Sequence, residues 1–348
     1  MKKILVGMSG GVDSAVSVLL LQSLGYTAGG GHMLLQPCGR QEAEDAQASA
    51  DRLGIAFHLF DWQTDFRRDV IEPFKQVYQS GGTPNPCIFC NKTLKFGKFL
   101  EEAAALGYDE IATGHYARIR QENGRYLIYK AKDAFKDQTY MLYHLSQKQL
   151  SKVQFPMGEF TKDEARARAM EAGLPVASKS DSQDICFIPD GDYLKFLKED
   201  GVALQPGHFI GPKGEDLGPH KGLEAYTMGQ RRGLDVAYGS RIYVVGKDGS
   251  NVLLGENDRL FSNRVHVGDV NFIPFDRLDA PIRAQAKIRY TPHGADCTII
   301  PTENGVVLEF DQPQRAATPG QAAVFYDGDL LLGGGTIINN EKEGKPPA

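Results

Sequence analysis

Long apolar runs are missing from this chain of 348 residues. No stretch approaches the ~20 consecutive apolar residues that a membrane-spanning helix needs, so no membrane association is expected. The start, MKKILVGMSGG, is basic, but its apolar run is only a strand's length and then meets glycines. It has neither the hydrophobic region nor the cleavage site of a signal peptide, and a cytoplasmic location is expected. Cysteine is scarce: Cys38, Cys87, Cys90, Cys186 and Cys297 are the five. So few, and an odd number, exclude the disulfide framework of a small secreted protein. The thiols are then buried fillers, metal ligands or reagents. Positive charge is not in excess, with a formal net charge of -5. That total does not suggest a nucleic-acid binder, although local basic segments can still contact phosphate. What is present, 41% hydrophobic and 24% charged residues, fits a globular protein of two or three domains.

The first half alternates strand and helix signals. KILVGM reads as a strand, Ala15 to Leu24 as a helix closed by Gly25, and GGGHMLL as a second strand. A helix near Glu42–Leu53, the strand IAFHLFDW, helices near Thr64–Tyr78 and Lys92–Leu106, and the strand end DEIATGHY follow. Strands separated by helical crossovers predict an α/β fold with a doubly wound parallel sheet. ARIRQENGRYLIYKA interrupts it with an Asn-Gly hairpin signal. Thr161 and Glu164 form a possible capping box for a helix to Ala172, and another helix is expected over Asp192–Asp200. From about residue 201 glycine-rich turns separate short β-runs, and from about 264 nearly every segment alternates, predicting a small antiparallel barrel or sandwich. The expected division is a catalytic domain over 1–200, a small central β-rich domain over 201–263 and a C-terminal β-barrel over 264–348, with a disordered tail NNEKEGKPPA.

Gly7-Met8-Ser9-Gly10-Gly11-Val12-Asp13-Ser14 follows the first strand and opens the first helix. Glycines let backbone N–H groups curl toward an anion, and the helix N-terminus adds its dipole. Ser9 and Ser14 can donate to phosphate, and Asp13 can position a metal or the loop. The loop lacks the lysine of a Walker A motif and the spacing of a dinucleotide fingerprint. A tight strand-to-helix turn is the plainer reading, but the hydroxyls and the aspartate at this position favour phosphate. TPNPCIFCNK then sets Cys87 and Cys90 three apart in an expected loop. Alone, the pair fits half a zinc site, a redox dithiol, iron–sulfur ligands or a catalytic thiol with a neighbour. No second Cys-x-x-Cys supports zinc. Cys186, between Ile185 and Phe187, reads locally as a buried small hydrophobe.

The SGGVDS stretch resembles the PP-loop of ATP pyrophosphatases. GGTPNPCIFCNKTLKF, IATGHYARI, KDQTYMLYHL, SDSQDICFI, YTMGQRRGL, RIYVVGK and TPGQAAVFY follow in that order across the chain. Together they resemble the tRNA-specific 2-thiouridylases, bacterial enzymes that put sulfur on C2 of the wobble uridine of tRNAs for Lys, Glu and Gln. The resemblance implies ATP and Mg²⁺ as cofactors, tRNA as substrate, and a persulfide donor, a cysteine desulfurase or its relay carrier, as partner. It implies that Gly7–Ser14, Met33 and Gly114 bind ATP, that Cys186 carries the persulfide, and that Cys90 is the nucleophile, with a Cys90–Cys186 disulfide to be reduced after transfer. By the same resemblance Asn85, Pro86 and Cys87 hold the target base. His115, Lys136, Asp137, Gln138, Arg289, Tyr290 and Gln321 contact tRNA. Arg283, Lys287, Arg231 and Arg232 add local positive charge.

Two departures stand out. Many family members have Asp where this chain has Cys87, and the Asn-Trp that usually follows Met33 is absent. A thiol accepts hydrogen bonds poorly unless ionised, and Cys87 opens a second route in which Cys87, Cys90 and Cys186 ligate a [4Fe–4S] cluster. Cys297, on an alternating strand, is expected to be structural, and Cys38 is given no role.

Overall fold

The computed structural model describes residues 1–37, 39–179 and 185–338. Cys38, the SDSQD half of SDSQDICFI and the expected tail lie outside the described residues. Strands β1 (Lys3–Gly7), β2 (Thr27–Leu34), β3 (Phe57–Asp61) and β4 (Glu110–Thr113) come first, then the hairpin strands β5 (Arg118–Glu122) and β6 (Arg125–Tyr129) and the short β7 (Val153–Gln154). Five of them make one parallel sheet in the order β3-β2-β1-β4-β7. Ile4, Leu5 and Val6 of β1 are buried, the continuous apolar run of a strand covered on both faces. Helix α1 (Val12–Ser23) runs back from β1 and ends at Leu24, where Gly25 takes φ +84°. Because β1 is flanked by β2 on one side and β4 on the other, the crevice beyond the ends of β1 and β4 is the switch point where such sheets bind ligands.

The cysteine segment differs from expectation. The helix begins at Pro86 and runs over 86–105, so Cys87 lies on its first turn and Cys90 at the start of its second rather than in a loop. Asn85 is the N-cap, its Oδ1 accepting from the Cys87 N–H at 3.2 Å, and Pro86 at N1 spends no hydrogen bond because that N–H has no helical partner anyway. Both this helix and that over 63–79 carry π-helical stretches, Asn91–Lys98 and Arg67–Ile71.

The capping box is present: Thr161 and Glu164 bond reciprocally ahead of the helix Lys162–Glu171. Next come β8 (His208–Ile210), β9 (Asp216–Pro219), β10 (Tyr243–Asp248) and β11 (Asn251–Gly255), a sheet ordered β10-β11-β8-β9. Strands β12 (Phe261–Phe272), β13 (Ile282–Lys287), β14 (Ala295–Thr302), β15 (Gly305–Arg315), β16 (Ala322–Asp327) and β17 (Leu330–Ile337) close into a barrel, because β12 pairs with both β15 and β17. Closure decides against a sandwich. The β5–β6 hairpin joins this barrel through Tyr129 and Leu330, so the N-terminal half contributes two strands to the C-terminal sheet. Cys297 is fully buried in the barrel core, as expected.

Candidate active site

The glycine loop caps the switch point. Gly10 has φ +72°, and a Cβ there would strike the Glu42 carbonyl, so glycine is required twice over. Gly11 is the N-cap of α1 and supplies no side-chain cap, leaving first-turn N–H groups for an anion. Ser14 Oγ accepts from the Ser9 N–H at 3.1 Å and donates to the Gly11 carbonyl at 3.2 Å, which holds the curl. Val12 and Met8 are buried beneath it. The Met8 carbonyl accepts from His32 Nδ1 at 2.8 Å, and burial lowers the His32 pKa, keeping that ring neutral. Met33, at the end of β2, has its Cε 3.5 Å from where a Cβ on Gly7 would sit. A Cβ on Gly114 would lie 2.9 Å from the Ser14 backbone N, so α1 and the end of β4 meet without room for a side chain.

Three residues that the sequence did not single out complete this end. Lys162 Nζ donates to both Asp13 carboxylate oxygens at 2.8 Å, and the Tyr116 hydroxyl donates to Oδ1 at 2.8 Å. Lys179 Nζ donates to the Gly10 carbonyl at 3.1 Å and to Asp45 at 2.6 Å. The signal for Lys162 was available: a lysine at N1 opposes the helix dipole and calls for an acidic partner. Together this end presents backbone donors and two ammonium groups, each paired with a carboxylate, Asp13 or Asp45, that a polyphosphate can compete with.

The thiols gather at the other end. Cys90 is buried in an apolar cluster with Phe66, Phe74, Leu94, Phe187 and Ile188. Phe187 sits edge-on to Phe66 and Phe74, with ring centres 5.6 and 5.2 Å away, and so pins the chain beside Cys186. Cys186 as a residue is exposed, yet its thiol is pushed up to about 12, chiefly by desolvation and then by the nearby Cys90 and Cys87 thiols. Burial likewise raises Cys90, opposed by the Lys95 ammonium. Cys90 shares its cluster with Phe187 and Ile188, and Ile185 packs against it, so the segment carrying Cys186 is brought to Cys90 across ninety-odd residues of sequence. The thiols of Cys87, Cys90, Cys186 and Cys297 are all free. Among the described residues no group of three His, Cys, Asp or Glu side chains is gathered to hold a metal ion.

Several residues expected at the tRNA surface turn inward. His115 is 8% exposed, bonds Thr113 Oγ1 at 2.8 Å and lies between the Phe96 and Phe155 rings. Burial lowers its pKa well below the usual range, so it is neutral. The buried Asp137 carboxylate accepts from the Ala131 N–H and the Thr139 hydroxyl. Gln138 Oε1 accepts from the Tyr116 N–H at 2.9 Å, steadying the tyrosine that binds Asp13. Gln321 Nε2 donates to the Thr83 and Pro84 carbonyls at 2.9 and 3.3 Å, tying the barrel to the segment before Asn85. Arg283 is paired with Asp311, and Lys287 is buried against the Tyr326 ring. Lys136, Arg289 and Tyr290 remain at the surface side, with Arg289 and Tyr290 exposed.

Residues 2–190 match the family described as tRNA methyl transferase HUP domain, 194–254 the tRNA methyl transferase PRC-barrel domain, and 262–337 the aminomethyltransferase beta-barrel domain. The tRNA-specific 2-thiouridylase MnmA of Acetivibrio thermocellus is 46% identical over 97% of this chain and 99% of its own. That of Clostridium acetobutylicum is likewise 46% identical, over 97% and 99%. A nucleotide loop, a gathered set of thiols and a closed barrel, aligned end to end with these relatives, place the chain in the tRNA-specific 2-thiouridylase family.

Proposed function

We propose that this protein catalyses ATP-dependent 2-thiolation of the wobble uridine in tRNAs for Lys, Glu and Gln. The observation that carries the reading is the convergence of Cys87, Cys90 and Cys186 in the same catalytic unit as the anion-binding loop. The description of the HUP family names methyl transfer, but gathered thiols suit sulfur carriage. The division into 1–200, 201–263 and 264–348 assigns chemistry to the first unit and much of the RNA surface to the last.

Gly7–Ser14, with Lys162 and Lys179, hold the ATP phosphates, and Met33 borders the adenine. Asp13 is already engaged by Lys162 and Tyr116, so a bound Mg²⁺ would rely chiefly on phosphate oxygens and would screen their charge as pyrophosphate forms. The uridine O2 attacks the α-phosphorus and pyrophosphate leaves. This converts a poor electrophile into one with AMP as leaving group. The terminal sulfur of a Cys186 persulfide then attacks C2, and AMP departs with the former O2. The Cys90 thiolate attacks Cys186 Sγ, breaking the S–S bond. Sulfur stays on C2, a Cys90–Cys186 disulfide forms, and an external dithiol supplies the two electrons that reset it. Asn85 and Pro86 set the helix start at the base, where Cys87 stands on the first turn. A wobble base is unpaired and cheap to extrude.

Thiolation of an unmodified tRNA transcript, with a cysteine desulfurase or relay protein as persulfide donor, tests the reading. RNA-dependent pyrophosphate release is expected. Release without RNA favours a ligase for a small molecule, and full thiolation by Cys186→Ser contradicts the scheme. Iron and acid-labile sulfide in anaerobically purified protein, required for turnover, would instead support a [4Fe–4S] cluster on Cys87, Cys90 and Cys186.

A further inference from the structure

Phe135 is 93% exposed, the most exposed large apolar residue after Met1. A phenylalanine so placed gives up the stabilisation of burial. The turn that carries it is fixed. Asp133 Oδ1 accepts from the Phe135 and Lys136 N–H groups at 3.1 and 3.3 Å, and the Asp133 carbonyl accepts from Lys136 N–H at 3.2 Å. Asp133 Oδ2 accepts from the Lys162 N–H at 3.0 Å, anchoring the turn to the helix whose lysine binds Asp13.

A second aromatic is held to the same segment. The Tyr290 hydroxyl donates to the Asp137 carbonyl at 3.1 Å, and its ring is 53% exposed. The Lys136 charge acts on that hydroxyl, and Arg289 is exposed beside it. Two fixed, solvent-facing rings among cations are the elements of a single-stranded nucleic-acid platform, since every base has a π-face and the backbone is anionic.

We infer that Phe135 is a stacking platform for an unpaired base of the RNA substrate, working beside Tyr290 and Lys136. The inference rests on tRNA being the substrate. A hydrophobic partner protein is the competing occupant, but the surrounding Lys136 and Arg289 complement a polyanion.

The test is binding of unmodified tRNA transcript to the full-length protein and its Phe135→Ala, Phe135→Leu and Phe135→Trp variants, with thermal melts to verify folding. Stacking predicts that Ala and Leu weaken binding about 5- to 100-fold and that Trp retains it. The chain's one tryptophan, Trp62, is buried, so the emission that Phe135→Trp adds over the wild-type protein reports the site and is quenched by tRNA. Unchanged affinity in Phe135→Ala, or full affinity in Phe135→Leu, overturns the inference while leaving the proposed function standing. Failure of the wild-type protein to bind tRNA overturns both.

Discussion

The glycine loop and the thiol cluster are built on opposite principles. At the phosphate end, polar groups are satisfied in advance: Asp13 takes three donated hydrogen bonds from Lys162 and Tyr116, and Ser14 holds the loop. Around the thiols, apolar packing places Cys90 and Cys186 and at the same time disfavours their ionisation. The loop is organised by polar contacts before any ligand arrives. Cys90 and Cys186 are held as neutral thiols, which slows their oxidation.

Separating the two ends is the strongest way to break this contrast. Cys186→Ser is expected to abolish thiolation, a loss of at least ~10³-fold of the kind seen when a covalent carrier is removed, while tRNA-dependent pyrophosphate release continues. Parallel loss of both measured activities would show the ends are not separable. Lys162→Ala attacks the other end: it leaves Asp13 without its cation, and pyrophosphate formation should fall ~10²-fold or more. Alkylation of the cysteines, read by mass spectrometry, should not change.

The resting thiols sharpen the comparison through pH. Burial disfavours the Cys186 thiolate and places its pKa at about 12. Its alkylation rate by iodoacetamide should therefore climb ~tenfold per pH unit from 7 through 10 without a plateau. A plateau near pH 8 would mean that the thiol is already activated. The smallest effect is expected for Gln321→Ala, which removes two bonds to the Thr83 and Pro84 carbonyls. About 1–2 kcal/mol of stability, read by denaturant melts, is the net worth of such bonds, with a several-fold drop in the thiolation rate.

Much of the fold was legible because periodicity and turn chemistry are local. The β1 run, the Gly25 stop, the Asn123-Gly124 hairpin and the Thr161–Glu164 box all appear where their residues predict. The cysteine helix was misread as a loop, although Asn85-Pro86 is itself a helix-start signal. Site residues were harder for a physical reason: a motif marks that a residue matters, not which way it points. Asp137, Gln138 and Gln321 share segments with surface residues, yet their side chains brace Ala131, Tyr116 and Thr83. Lys162 at N1 signals an acidic partner, but which acid it meets, Asp13 149 positions away, is decided only by the fold.

The most direct test of the joint operation of the two ends follows the oxygen that sulfur replaces. A tRNA transcript carrying ¹⁸O at C2 of the wobble uridine would be turned over once with ATP and persulfide-loaded protein. Adenylation at O2 predicts that the label appears in the phosphate of AMP, with one 2-thiouridine formed per pyrophosphate. Label released into water, with unlabelled AMP, would contradict the account.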